Sequence, residues 1–243
     1  MRVLLLGGTR EAAELAHALQ ATGAEVETSL AGRTKEPKST AGTVRIGGFG
    51  GTQGLEDYLR RKGFDVAIDA THPFAERISL NLERACSDAG LPRLVLYRPP
   101  WERRAGDRWI EVPDLTAAAE AISPGRTALL ALGRQHVAAL AWRSDVRFVV
   151  RSIEPVEDDT LHSATFVQAR PSASAQDEAV FMTEQGIDVV VSRNSGGPGA
   201  YAKIEAARQL NLPVIVIDRP RPPSGPRVST VREAIQWVRG VNR

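Results

Sequence analysis

The stretch that decides the fold is Arg2-Val3-Leu4-Leu5-Leu6-Gly7-Gly8-Thr9-Arg10-Glu11. Residues 2–6 form a short apolar run, the pattern of a strand buried on both faces of a parallel sheet. Two glycines follow at once. Residues 10–21 then carry Ala12, Leu15, Ala16 and Leu19 at helical spacing, and Gly23 closes the helix. A strand that enters a helix through glycines lets the backbone approach a pyrophosphate while the helix N-terminus faces it. The full G-x-G-x-x-G fingerprint is absent, because Glu11 and Ala12 stand where further glycines are expected. The turn therefore reads either as a nucleotide site or as a plain tight βα turn, and its place directly after the first buried strand favours the nucleotide. Gly7, Gly8, Thr9 and Arg10 are the candidate cofactor contacts.

Working outward, strand-like and helix-like runs alternate nearly throughout, which predicts an α/β fold with mainly parallel sheets. Further strands are expected at 25–30, 44–46, 65–69 and 94–97, with helices at 55–62 and 73–88, the latter with Pro73 in its first turn. The texture changes at Arg98-Pro99-Pro100-Trp101-Glu102-Arg103-Arg104-Ala105-Gly106-Asp107, a linker or long functional loop. A second series follows, with strands at 128–132, 148–150, 166–168, 189–191 and 214–217 and helices at 178–185, 200–210 and 230–239. Glycine turns follow strands in both halves: Gly7-Gly8, then Gly133-Arg134 and Ser195-Gly196-Gly197. The expected architecture is two Rossmann-like lobes, 1–98 and 99–243, facing each other across a central cleft. The first is read as the cofactor lobe and the second as the contributor of the substrate site, with ligands beyond the carboxyl ends of the strands.

Composition narrows the classes. A chain of 243 residues can bury a substantial core. No apolar run approaches the roughly 18 residues that span a bilayer, and the apolar run after Met1-Arg2 is shorter than an export signal's core of about 7–15 residues. A cytoplasmic protein without a membrane partner is expected. The single cysteine, Cys86, lies on the stripe Ile78, Leu82, Ala85, Cys86, Ala89 and reads as a core thiol. His17, His72, His136 and His162 show no metal-ligand spacing, so no metal is expected. The formal net charge is only +2, but lysine occurs only at positions 35, 38, 62 and 203, so arginine carries most of the positive charge. Genomic base composition accounts for that bias; carboxylate or phosphate recognition is the functional reading. No polybasic run interleaved with aromatics points to nucleic acid.

Three further segments carry chemistry. At the end of the second strand, NAD-preferring folds place an acid against the ribose 2′-hydroxyl. Here Thr28-Ser29-Leu30-Ala31-Gly32-Arg33-Thr34-Lys35 holds no acid before Glu36. Ser29, Arg33, Thr34 and Lys35 are candidates for a 2′-phosphate, which makes NADPH the expected cofactor; an ordinary solvated loop is the other reading. In Asp69-Ala70-Thr71-His72-Pro73-Phe74, Thr71 is expected to cap the following helix and is carried as a cofactor contact. His72, at a strand's carboxyl end near the expected nicotinamide, is a candidate proton donor or substrate ligand, with solvent left open as the donor. The third segment is Ser192-Arg193-Asn194-Ser195-Gly196-Gly197-Pro198-Gly199, leading to Lys203. It reads equally as a structural loop and as an anion site, and it lacks the Gly-Lys-Ser/Thr of a P-loop. Arg193, Asn194, Ser195, Gly196, Gly197 and Lys203 are its candidate substrate contacts.

Taken together, Leu5-Leu6-Gly7-Gly8-Thr9-Arg10-Glu11, Asp69-Ala70-Thr71-His72-Pro73-Phe74-Ala75, and Ser192 to Gly197 with Lys203-Ile204-Glu205-Ala206-Ala207 are similar to the precorrin-6A reductase family of cobalamin biosynthesis. The order and spacing span nearly the whole chain, and the Asp69–Ala75 stretch is the most specific. The resemblance implies NADPH-dependent reduction of precorrin-6A to precorrin-6B between two Rossmann-like lobes. It also implies a tetrapyrrole substrate rich in carboxylates, with hydride delivered to a conjugated C=C–N system and no metal required. Two other classes remain as alternatives: an NADPH-sensing protein without turnover, and a nucleotide-sugar epimerase or glycosyltransferase.

Overall fold

The computed structural model describes residues 1–32, 41–132, 138–152 and 164–241. Two units emerge, Met1–Pro99 with Pro220–Arg243, and Pro100–Arg219. Residues from Pro220 onward group with the first unit.

The first unit is built on β1 (Arg2–Leu6), β2 (Glu25–Leu30), β3 (Thr43–Ile46), β4 (Val66–Asp69) and β5 (Arg93–Leu96). Its helices are α1 (Arg10–Ala21), α2 (Gly51–Lys62) and α3 (Glu76–Ala89). All strand pairs are parallel, and spatially β3-β2-β1-β4-β5 runs with β1 at the centre. Because successive side chains in a strand point to opposite faces, Val3 and Leu5 join one core while Leu4 and Leu6 join the other. Leu15 and Leu19 of α1 cover the first face; Leu55, Leu59 and Leu82 of α2 and α3 cover the second. That double burial is why β1 and β4 read as continuous apolar runs. Truncating Leu15, fully buried here, would cost about 2–5 kcal/mol.

The second unit carries β6 (Arg108–Val112), β7 (Thr127–Ala131), β8 (Arg147–Ser152), β9 (Ala164–Gln168), β10 (Val189–Arg193) and β11 (Pro213–Ile217). Its helices are α4 (Leu115–Glu120), α5 (Ala175–Glu184) and α6 (Ala202–Gln209). The sheet is again wholly parallel, in the order β9-β8-β7-β10-β11-β6. The chain then returns to the first unit as β12 (Arg227–Val228) beside β5, followed by α7 (Val231–Val241). Both sheets thus have the doubly wound order 3-2-1-4-5-6. In each, the sixth strand comes from outside the continuous run of five: β12 closes the first sheet from the C-terminal segment, and β6 precedes the other strands of the second.

The strands and helices differ from expectation mainly at their ends. Helix α3 begins at Glu76, not at Pro73, so the proline lies in a turn before the helix. Helix α2 begins at Gly51, four residues earlier than the apolar periodicity implied. A single 3₁₀ turn at Pro198–Ala200 precedes α6. Strands β6 and β12 and helix α4 were not anticipated.

Candidate functional site

A doubly wound sheet binds ligands where the strand order reverses, outside the carboxyl ends of the strands. In the first unit that point lies between β1 and β4, where the Gly7-Gly8-Thr9 turn and the Asp69–His72 turn both emerge. Each glycine has its own reason. A side chain at Gly7 would bring a Cβ to 2.9 Å from Thr28 Cγ2, so β2 can lie close only against a glycine. Gly8 adopts φ +105° and faces open space, leaving its backbone open to a phosphate group. Thr9 then caps α1: its hydroxyl accepts from Ala12 N at 3.1 Å and donates to Ala70 O at 2.8 Å. One side chain thereby starts the helix and ties it to the end of β4. Arg10 is exposed and pairs along its helix with Glu14 at 2.8 Å. Glu11, in the first turn of α1, is neutralised by Arg98 at 2.9 Å.

The second turn is organised by Asp69, which is buried. Its Oδ1 accepts from Thr71 N at 3.0 Å and from Thr71 Oγ1 at 2.7 Å, and Ser79 Oγ lies 3.3 Å from the same hydroxyl. Thr71 therefore does not cap α3; the capping position is Ala75, which has no side-chain bond, and the threonine is spent on an Asx turn. That turn presents His72. Phe74 N donates to His72 Nδ1 at 3.3 Å, so the neutral ring carries its proton on Nε2. A shallow pocket opens at the carboxyl ends of β4 and β5, lined by Asp69, Thr71, His72, Ser79, Tyr97 and Arg221. Arg221 comes from the returning C-terminal segment.

At the end of β2, Ser29 is buried and its carbonyl accepts from Gly7 N at 2.9 Å. Arg33, Thr34 and Lys35 lie outside the described residues. Arg45, at the end of the adjacent β3, went unnoticed in the sequence. Its guanidinium is 3.4 Å from Ser29 Oγ, bonds Gly47 O at 2.6 Å and Gly48 O at 2.5 Å, and sits 3.9 Å from the Phe49 ring centroid. Its sequence signal is an arginine two residues before Gly47-Gly48.

In the second unit, Arg193 ends β10 and the polar glycine loop follows as expected, with Gly196 and Gly197 at φ +65° and +67°. Two of the candidates serve the scaffold. The Asn194 side chain accepts from Trp101 N at 2.7 Å and donates to Trp101 O at 3.1 Å, while Trp101 Nε1 donates to Gly197 O at 2.7 Å. Trp101, read as part of a linker, is a buried strap that fixes the loop's shape. Lys203 is turned inward: Nζ donates to Ala200 O at 2.9 Å and lies 5.0 Å from the Trp101 ring centroid. Burial pulls its pKa down to about 8, with the nearby Glu178 carboxylate opposing. Glu178 is itself buried, held by both Arg151 nitrogens at 2.8 and 2.6 Å and by Ser172 N. Ser195 Oγ donates to Arg193 O at 3.4 Å, a bond within the loop.

Cys86 is buried, and desolvation raises its thiol to about 12, which leaves it inert as a nucleophile. Among the described residues no cluster of histidine, cysteine or carboxylate side chains could hold a metal ion, and no helix is long and apolar enough to cross a membrane.

Comparison with known proteins agrees with this geometry. The precorrin-6A reductase of Rhodococcus erythropolis is 43% identical over 100% of this chain and 99% of its own. That of Rhodobacter capsulatus is 42% identical over 98% of this chain and 95% of its own. The solved structure titled CobK precorrin-6A reductase superposes with a TM-score of 0.94 at 41% identity, covering 99% of this chain and 97% of that one. A family model described as Precorrin-6x reductase CbiJ/CobK matches residues 2–239. The chain belongs to the precorrin-6x reductase CbiJ/CobK family, and is an oxidoreductase.

Proposed function

We propose that this chain reduces precorrin-6A to precorrin-6B in cobalamin biosynthesis, with NADPH held at the switch point of the first unit. The observation that carries the reading is the Thr9 hydroxyl bond to Ala70 O, which joins the glycine turn and the His72 turn into one rim. It does so in a chain whose full-length relatives are named for that reaction. The residues fit a dinucleotide. Gly8 offers open backbone, the capped start of α1 favours negative charge, and residues 28–32 at the end of β2 contain no carboxylate that would repel a 2′-phosphate.

When bound, NADPH would supply the hydride, which carries both electrons of the reduction. The chain's own part is binding, orientation and proton management. Asp69 fixes the turn that carries His72, and His72 Nε2 holds the proton for the carbon beside the reduced one. Arg193 and the Gly196-Gly197 backbone supply the donors for substrate carboxylates, while Asn194, Trp101 and Lys203 keep that loop in shape. Holding donor and acceptor in register can lower the barrier by up to about 7–11 kcal/mol, and conjugation in the macrocycle spreads the developing charge.

The test is an anaerobic assay with precorrin-6A in which nicotinamide and macrocycle absorbance are followed together. Matched consumption of both is the expected result. NADPH binding without its oxidation would replace the reading with a sensor.

A further inference from the structure

The end of β2 is where a doubly wound sheet reads the 2′ position of the adenosine ribose, and Arg45 holds an unusual place beside it. It makes no ion pair among the described residues, although half-buried arginines elsewhere in the unit do: Arg98 has Glu11, and Arg93 has Glu83. Two backbone carbonyls, Gly47 O and Gly48 O, fix its position, and the Phe49 ring at 3.9 Å stacks against it. The nearby ring of Tyr58, 5.2 Å away, directs its hydroxyl to the Glu27 carboxylate, which occupies the acid on β2 closest in sequence to Ser29. Among the described residues, Arg45 Nε and one N–H of Nη2 donate to nothing. The result is a fixed guanidinium, next to the Ser29 hydroxyl, with donors to spare and no ion pair among the described residues.

We propose that Arg45, with Ser29, is the pair that reads the 2′-phosphate and sets the preference for NADPH over NADH. The assignment rests on the reading of the first unit as the NADPH site. A guanidinium suits the role because its planar fork meets phosphate oxygens with two parallel bonds, and the carbonyls and ring have already ordered it. Arginine on phosphate is a charge-assisted contact, so removing it costs roughly 10- to 100-fold in affinity.

The test is equilibrium binding by calorimetry, independent of turnover, with NADPH, NADH, 2′,5′-ADP and 5′-AMP as probes. The parent protein should bind NADPH over NADH and 2′,5′-ADP over 5′-AMP. Arg45→Ala should lose both preferences by weakening only the 2′-phosphorylated ligands. Ser29→Ala should narrow them less. Arg45→Lys, which keeps charge but not the fork, should recover part of the preference. If the parent protein shows no preference, the NADPH reading itself fails. If the parent prefers NADPH and Arg45→Ala keeps the full preference, or weakens all four ligands equally, the Arg45 assignment fails alone. Should Arg45→Ala not fold, Arg45→Gln replaces it, retaining a side-chain donor to the loop carbonyls with the same two outcomes.

Discussion

At the scale of single residues, His72 is the proposed proton donor. Its orientation comes from its neighbours: the Asx turn at Asp69 sets the backbone, and Phe74 N fixes which nitrogen holds the proton. His72→Ala removes the proton source but leaves Asp69, Thr71 and Ser79 in place, so the fold should persist. The expected outcome is a fall in kcat of about 100-fold or more, with the KM for NADPH little changed. A folded variant with unchanged kcat would assign the proton to solvent. The sequence alone misread Thr71, the residue before it. A threonine before a helix is a good cap candidate; only the three-dimensional turn shows Asp69 accepting both its N–H and its hydroxyl.

At the scale of elements, the strand–turn–helix units were legible because each obeys one strong rule. β1 and β4 are continuous apolar runs, and α1 has a clear stripe ended by glycine. Strand β12 was not legible, since two residues carry no periodicity, and β6 was hidden within a polar, proline-rich neighbourhood. The same neighbourhood concealed Trp101, whose importance lies in bonds to a loop 93 and 96 residues away. Around that loop, Lys203 makes a prediction about pH. Its folded pKa of about 8 lies below the ordinary 10.5, so the folded state releases this proton first. Between those values the unfolded chain holds the extra proton, and stability rises with pH by at most about 1.4 kcal/mol per unit. Below about 8 both states are charged and the contribution is constant. Lys203→Met keeps the packing against Trp101 and removes the titration. Chemical denaturation across the window should show the wild-type stability climbing relative to the variant, whereas parallel curves would mean the ammonium is not buried.

At the scale of the whole molecule, the chain folds as two sheets whose sixth strands come from outside each run of five. Periodicity cannot show this, because it reports which face of an element is buried and not which sheet an edge strand joins. The consequence is that residues 1–99 are not a complete unit. Ala234 and Val238 of α7 belong to the same core as Val3, Leu5, Leu15 and Leu19. A fragment ending at residue 99 should therefore fail to unfold cooperatively, and adding a peptide of residues 220–243 should restore a sharp transition. Cooperative melting of the fragment alone would show the returning segment to be dispensable. The pocket beside His72 depends on the same return, through Arg221.

The central claim, that NADPH held at the Gly7-Gly8-Thr9 turn reduces the macrocycle itself, is tested most directly by isotope transfer. With NADPH carrying deuterium at both C4 positions, the product of an anaerobic turnover with precorrin-6A is examined by mass spectrometry. One deuterium should appear in each molecule of precorrin-6B; product formed without label, or cofactor bound without any product, would contradict the account.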